Sequence, residues 1–260
     1  MVLANRMQVD PVWTFLVAGS SAGKTELISA ISATAGIHPL SSLTAHTFIS
    51  GQRRGGDKEP SLLKELPAEG CTLTFKDFTS ILSLPSDERT NIMGQLREIY
   101  DGSLVKRFGT GDEVRWHGKL GLIAGATSAI YLARDLYSAM GERFLIYNIT
   151  LPDRKLITMR ALANAHTIQD KRVKLREIFH EYLDDTIGTP AMPYPSVPEE
   201  FLDDIVNLAE MSTRARSPVE RDWRSSQRDI TFVHQHEMPT RFASQLYALP
   251  PALLIISGGK

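Results

Sequence analysis

Eight residues constrain this chain more than any others: Ala18-Gly19-Ser20-Ser21-Ala22-Gly23-Lys24-Thr25. An apolar, strand-like run from Val12 to Val17 precedes them. A helical pattern from about Gly23 to Ala35 follows, with Leu27, Ile28 and Ile31 on one side. Strand, glycine-bearing loop and helix in that order are the setting in which backbone N–H groups wrap phosphate oxygens. The lysine adds a point charge and the hydroxyl reaches magnesium. Gly19, Ser20, Ser21, Ala22 and Gly23 are therefore expected to cradle a nucleoside triphosphate, read as ATP, with Lys24 on its phosphates and Thr25 on Mg2+. Ala18 stands where the pattern has its first glycine.

The stretches that follow read as an α/β fold. Ser41 to Ile49 is expected to be a second strand, followed by a polar surface loop, GQRRGGDKEP. Cys71 to Lys76 is a third strand, ending at Asp77. Phe78 to Leu84 and Asp87 to Tyr100 are helical. Residues 103–106 and 113–116 form β-compatible arms around Phe108-Gly109-Thr110-Gly111-Asp112, a reversing turn. Lys119 to Ala126 is an apolar strand, a helix runs from about Ala129 to Met140, and Leu145 to Leu151 is a last strand. Strands that are apolar throughout and alternate with helices indicate a parallel sheet covered on both faces. The expected architecture is a parallel-sheet P-loop NTPase core over residues 1–154, with the hairpin at about 103–116 inserted in it. A C-terminal α-helical lid over 155–260 has helices at 155–166, 171–186, 198–214 and 239–256, broken by the linker TPAMPYPSVP. The end, Leu249 to Ile256 and then Ser-Gly-Gly-Lys, reads as the approach to a further domain.

Composition excludes more than it selects. A formal charge of −1 over 260 residues rules out a uniformly basic surface, so nucleic acid must be argued from local patches. Cys71 is the sole cysteine, which excludes an intramolecular disulfide framework or a cysteine-rich zinc site and points to a reducing compartment. No secretion signal and no membrane-length apolar run are seen, so a cytoplasmic protein without a membrane partner is expected. His234-x-His236 lacks the i, i+4 spacing of helical zinc ligands and is rejected as a metal site.

Several side chains are candidates for chemistry around the loop. Asp77, at a strand end, is placed to join Thr25 in holding magnesium, or else to cap the helix after it. Phe78 stands where an acidic neighbour would polarise water, so the general base is unassigned. Thr127, at the tip of the next strand, is placed to orient water or phosphate, with an ordinary helix cap at Ser128 as the alternative. Arg143, just before the last strand, is placed to face a neighbouring subunit's nucleotide, or to make a surface salt bridge.

The order of P-loop, strand-end aspartate, polar-ended strand and GERFLIYNITLPDRK resembles the core of AAA+ ATPases with a helical lid, and the ATPase domains of phage and plasmid replication proteins. The resemblance implies an ATP-hydrolysing DNA motor working as a homo-oligomeric ring such as a hexamer, with Arg143 acting in trans. It implies a cis nucleotide-sensing arginine at the start of the third lid helix, assigned to Arg241, although Arg214 or Arg216 would serve equally. It further implies that the hairpin touches nucleic-acid backbone, with Lys106, Arg107 and Arg115 as the cations and Phe108 as a stacking group. Two other readings stand beside it. GSSAGKT also resembles the phosphate loop of nucleoside kinases, and the missing acidic residue at Phe78 suits a nucleotide-dependent switch with little hydrolysis.

Overall fold

Four of the expected buried runs, joined by a strand at Ile37–Leu40, come together as one parallel sheet. In the computed structural model every residue is described except 33, 50–52, 55–56, 59–61, 68–69, 109–112, 133–142, 152, 188–196, 218, 234 and 258–260, and the side chains of 53–54, 57–58 and 187. In chain order the elements begin with β1 (Trp13–Val17), α1 (Lys24–Ile31), β2 (Ile37–Leu40), the two-residue ribbon β3 (Arg53–Arg54) and β4 (Asp57–Lys58), and α2 (Leu62–Glu65). There follow β5 (Cys71–Phe75), a 3-10 turn (Phe78–Ser83), α3 (Ser86–Tyr100), the hairpin β6 (Ser103–Arg107) and β7 (Glu113–His117), β8 (Leu120–Ala126) and β9 (Phe144–Asn148). The remainder comprises α4 (Arg154–Ala163), α5 (Ile168–Ile187), α6 (Glu199–Arg216), the ribbon β10 (Val219–Arg221) and β11 (Ile230–Val233), α7 (Thr240–Tyr247) and α8 (Leu249–Ile256).

The sheet order is β2-β5-β8-β1-β9 and every pairing is parallel. β5 and β8 are buried along their whole length, as strands covered on both faces must be. An aromatic cluster fills one side: Phe15 stacks on Phe144 at 3.9 Å between centroids, and Phe78 meets both edge-on at 4.8 and 5.7 Å. Trp13 donates its indole N–H to the Leu120 carbonyl at 2.7 Å, tying the start of β1 to that of β8. Buried Asn5 closes the N-terminal segment onto β1, exchanging two hydrogen bonds with Val12 at 2.7 and 3.0 Å.

Several expectations are corrected. Residues 41–49 are not the second strand; β2 lies earlier, at Ile37–Leu40. Thr44 and Thr47 bond each other's backbone and hydroxyl groups, which draws the segment into a turn. Pro39 is accommodated because β2 is an edge strand. α1 ends at Ile31, and Leu27 is 42% exposed while Ile28 is buried, so its inward stripe is narrower than expected. The single helix over 239–256 is two, α7 and α8, with Pro250 and Pro251 in the first turn of α8, where a missing N–H costs least. The ribbon β10–β11 was not foreseen. Of the helix expected over 129–140, Ser128–Leu132 is a 3-10 turn and the rest lies outside the described residues, as do most of 51–60 and of the linker.

Parts of the C-terminal helices pack against the core. Phe242, Ala248 and Ala252 pack with Leu3, Met7, Val12 and Leu145 of the core, and with Ala209 of α6. Buried Gln245 donates to the Tyr100 hydroxyl at 2.6 Å and to the Arg143 carbonyl at 3.0 Å. Leu183 of α5 packs with Val2, Ile37 and Ile123. By contrast, α4 buries none of its residues. Among the described residues no helix is long and apolar enough to cross a membrane.

Gly125 sets how closely the layers approach: a Cβ there would lie 2.4 Å from the Lys76 carbonyl oxygen and 3.1 Å from Ile28 Cδ1. Gly125→Ala is expected to destabilise by about 1–3 kcal/mol through overpacking. Gly94→Ala, in α3 with nothing within 4 Å of its Cβ, is expected to stabilise by about 0.5–1 kcal/mol. Urea unfolding midpoints of the two variants would be compared, and shifts of the same sign would refute this account.

Candidate nucleotide-binding site

The loop leaves β1 at Ala18, whose N–H donates to the Ala126 carbonyl at 3.2 Å, so the end of β8 fixes where the loop begins. Ser21 adopts a left-handed φ of 62°, and Gly23 one of 87° as the N-terminal cap of α1. Gly23 carries no side chain to occupy the first turn, and no side chain caps α1. The N–H groups of that turn, which a helix cannot satisfy internally, are thus directed into the loop with the positive end of the helix dipole. Lys24 Nζ donates to the carbonyls of Ala18 and Gly19, each at 2.7 Å, and so lies across the mouth of the loop. Gly19, Ser20, Ser21 and Thr25 are exposed, with Ala22 and Lys24 half-buried.

Register brings Asp77 and Thr127 to the same edge. Phe75 pairs with Ala124 and Val17 with Ala126, so Asp77, two residues past Phe75, ends level with the exit of β1. With β8 between them and adjacent strands about 4.8 Å apart, the two exits are separated by about 10 Å. Thr127 stands at the tip of the intervening strand. Its N–H donates to Thr79 Oγ1 at 2.8 Å, and the two hydroxyls lie 3.3 Å apart. Asp77 is exposed and caps the 3-10 turn, accepting from the Thr79 N–H at 3.0 Å. The capping alternative is therefore realised through one carboxylate oxygen. Ser128 is the first residue of its own 3-10 turn, and the Thr127 carbonyl accepts from Ile130 N–H at 3.1 Å. Phe78 is wholly buried in the aromatic cluster.

No protein-family model matches this chain, and no curated protein matches it. The site's meaning therefore rests on its own residues.

The sequence reading missed Arg172. It lies on α5, and its guanidinium pairs with Glu26, the residue after Thr25, with Nε at 2.9 Å from Oε2 and a second, shorter bond to Oε1. A cavity beside the first turn of α1 is lined by Thr25, Glu26, Ser29, Gln169, Arg172 and Arg176. The basic run Lys171-Arg172-Val173-Lys174-Leu175-Arg176 was the available signal, but its partner is 146 residues away.

Arg143 and Arg241 do not join this group. Arg143 is 7% exposed; one guanidinium nitrogen donates to both oxygens of Asp101, at 3.0 and 2.8 Å, and the group lies 5.4 Å from the Tyr100 ring centroid. Its guanidinium is thus turned into its own chain, as a buried charge requires. Arg241 pairs with Glu237 at 2.9 Å and sits 6.0 Å from the same ring. Tyr100 packs against Trp13, the first residue of β1, so both arginines lie at the sheet edge opposite the loop, about 17 Å away along a five-residue strand. Arg241 is therefore not placed to sense a nucleotide held by its own chain. Arg216 lies over Phe242 at 4.5 Å and Arg214 pairs with Glu210 at 2.5 Å, so neither replaces it.

The hairpin forms as expected, but its alternation divides the three cations. Leu104, Val114 and Trp116 are buried, and Lys106, on that inner face, donates to the Ala45 carbonyl at 3.3 Å with Phe108 5.7 Å away. Burial lowers the Lys106 pKa. Arg107 and Arg115 face outward and share Glu113, whose carboxyl is held below its usual range, chiefly by the hydrogen bond from Arg115. The turn at 109–112, including Asp112, lies outside the described residues.

Lys119 lines a cavity at the far edge with Asp10, Tyr100 and Arg241, and donates to the Met7 carbonyl at 2.6 Å. Burial pushes its pKa down to about 8 from 10.5, and raises that of Tyr100 to about 12. Between about 8 and 10.5 the unfolded chain holds the lysine proton and the folded chain does not, so the Lys119 contribution to stability rises with pH across that window. Denaturant titrations of wild type and Lys119→Met are expected to show wild type gaining on the variant from neutral pH upward through that range. A constant difference would show that Lys119 stays charged in the fold.

Proposed function

We propose that this chain binds Mg2+·ATP on the loop 18–25 and hydrolyses it as an AAA+-like motor acting on DNA as a homo-oligomeric ring. The observation that carries nucleotide binding is the convergence at one sheet edge. A left-handed Gly23 opens the α1 N-terminus, Lys24 lies across the loop, and Asp77 and Thr127 stand at the ends of the two strands beyond. Thr25 and Asp77 are hard oxygen donors, the type Mg2+ takes while keeping several waters and its phosphates. Among the described residues no group of three or more His, Cys, Asp or Glu side chains could hold a metal. That donor set fits a magnesium arriving with the triphosphate. Bound there, it would neutralise charge on the phosphates.

In this reading Lys24 and the loop N–H groups hold and orient the phosphates, and Thr127, anchored through Thr79, positions the attacking water or the terminal phosphate. Contact with DNA is supported by the outward Arg107 and Arg115, which Glu113 keeps in register, more than by the inward Lys106. The trans role for Arg143 requires the Asp101 pair to open. Two observations favour other readings. Phe78, locked in the core, supplies no base, which suits a nucleotide-dependent switch. The cavity lined by Arg172 and Arg176 beside Thr25 is the feature that supports a small-molecule kinase with an acceptor pocket.

One experiment separates them: ATP turnover alone, with single- or double-stranded DNA and with added nucleoside, while mass photometry reports the oligomer. DNA-stimulated turnover by a multimer is the expected result. Stoichiometric nucleoside phosphorylation would establish the kinase, and DNA-indifferent slow turnover the switch. Lys24→Ala should weaken ATP binding about tenfold to a hundredfold, the equivalent of losing charge-assisted bonds worth about 1.5–3 kcal/mol. Thr127→Val should lower kcat with little change in affinity, because its hydroxyl is assigned to the reacting atoms.

A further inference from the structure

Charge is sharply segregated in the second half of the chain. Between residues 177 and 210 the sequence carries Glu and Asp side chains and no Lys or Arg, whereas residues 211–228 carry five arginines against Glu220 and Asp222. The structure places these blocks at opposite ends of one rod. Glu199, Glu200, Asp203 and Asp204 occupy the first turns of α6, all exposed, with Phe201 exposed among them. Arg214 and Arg216 occupy its last turn, and the ribbon β10–β11 begins three residues later.

The residues of that ribbon stand exposed, among them Val219, Ile230 and Val233, and Trp223 at its connection is 81% exposed. An isolated two-stranded ribbon is marginally stable in water, and apolar side chains on both of its faces call for a partner. Arg221, Arg224 and Arg228 surround it, all exposed, with the Arg224 guanidinium 5.4 Å from the Trp223 ring. A fitting partner is an acidic surface with apolar side chains, and the α6 N-terminus with Phe201 is one. Within one chain the two cannot meet through α6, because eighteen helical residues at about 1.5 Å each hold them about 27 Å apart.

We infer that the β10–β11 ribbon is a self-association surface that docks, head to tail, on the acidic N-terminal end of α6 in a second copy of this chain. Two different patches meet, so each copy keeps one free donor and one free acceptor surface, and the contact propagates into a closed ring or an open filament. Arginine and tryptophan are the residue types that anchor such contacts. The inference rests on the ring-forming reading for its purpose, but its geometry does not depend on the nucleotide site.

The test uses the full chain and charge reversal, read by mass photometry and by binding of a fluorescent ATP analogue. Variant A carries Arg221→Glu, Arg224→Glu and Arg228→Glu; variant B carries Glu199→Lys, Glu200→Lys and Asp203→Lys. Wild type should form multiples of 28.9 kDa, and each variant alone should fall to single-chain mass with analogue binding retained. Mixing A with B should restore assembly, because the acidic α6 end of A accepts the basic ribbon of B and the reversed pair matches as well. Recovery on mixing cannot come from misfolded variants. A wild type that stays a single chain while binding the analogue through Lys24 would overturn the surface and leave the nucleotide site standing. Reversals that leave assembly intact, or that remove binding of a labelled single strand without changing mass, would also overturn it, the latter assigning the ribbon to nucleic acid. Multimers that assemble through the ribbon but bind no analogue would keep the surface and remove the proposed ATPase.

Discussion

Strand β8, lying between β1 and β5, is the constraint on which the edge bearing the loop 18–25 depends. It takes the Ala18 N–H on its last carbonyl, presents Thr127 between the loop and Asp77, and has a glycine where the Lys76 carbonyl and Ile28 press closest. A side chain at that point would push α1 away from the sheet, and with it the helix N-terminus that the loop relies on. The site is thus held by backbone pairing in three adjacent strands. Its candidate side chains add little to the fold: Lys24, Thr25 and Asp77 are half-buried or exposed, while the residues that hold the edge together are glycines, alanines and aromatics.

The parts of this fold legible in the sequence are those where one local pattern admits one structure. Five-residue apolar runs with β-branched and aromatic side chains became buried strands, and a glycine loop between strand and helix became a left-handed helix cap. The hairpin arms were legible from alternation, yet the inner placement of Lys106 was not drawn from the same alternation, although Leu104 and Lys106 share a face by period alone. β2 escaped because Ile37–Leu40 is short and contains proline, a residue an edge strand tolerates, while the threonine-rich stretch after it has β propensity but satisfies its backbone in a turn.

What no local pattern could reveal are the long-range charge partners. Arg143 looked exposed because nothing near it in sequence is acidic apart from Glu142; its partner Asp101 lies 42 residues away and arrives through the packing of α3. Arg172 is one cation in the basic run 171–176, and gains meaning only when α5 packs along α1. Arg241 was assigned by its place at a helix start, which is a statement about chain order. The fold carries α7 to the opposite edge of the sheet, against Tyr100.

That division of cations between the two edges limits how a triphosphate could be answered. A nucleotide on the loop would meet Lys24 from the core, with Arg172 brought close by α5 and already paired with Glu26. Arg143 and Arg241, about 17 Å away along β1, can act on a nucleotide only in another copy, and each is engaged by a carboxylate, Asp101 or Glu237. A guanidinium with a partner contributes to a new site the difference between phosphate and carboxylate, less the cost of the carboxylate it leaves. That cost is small for Asp101, whose side chain is half exposed and regains water on release. It is larger for the buried side chain of Arg143, which must come out of its position. For Arg143 to leave Asp101, the junction of α3, β9 and α7 would have to move, because Gln245 there holds both Tyr100 and the Arg143 carbonyl. Release of Arg143 and the seating of α7 on the core are thus tied through one buried amide.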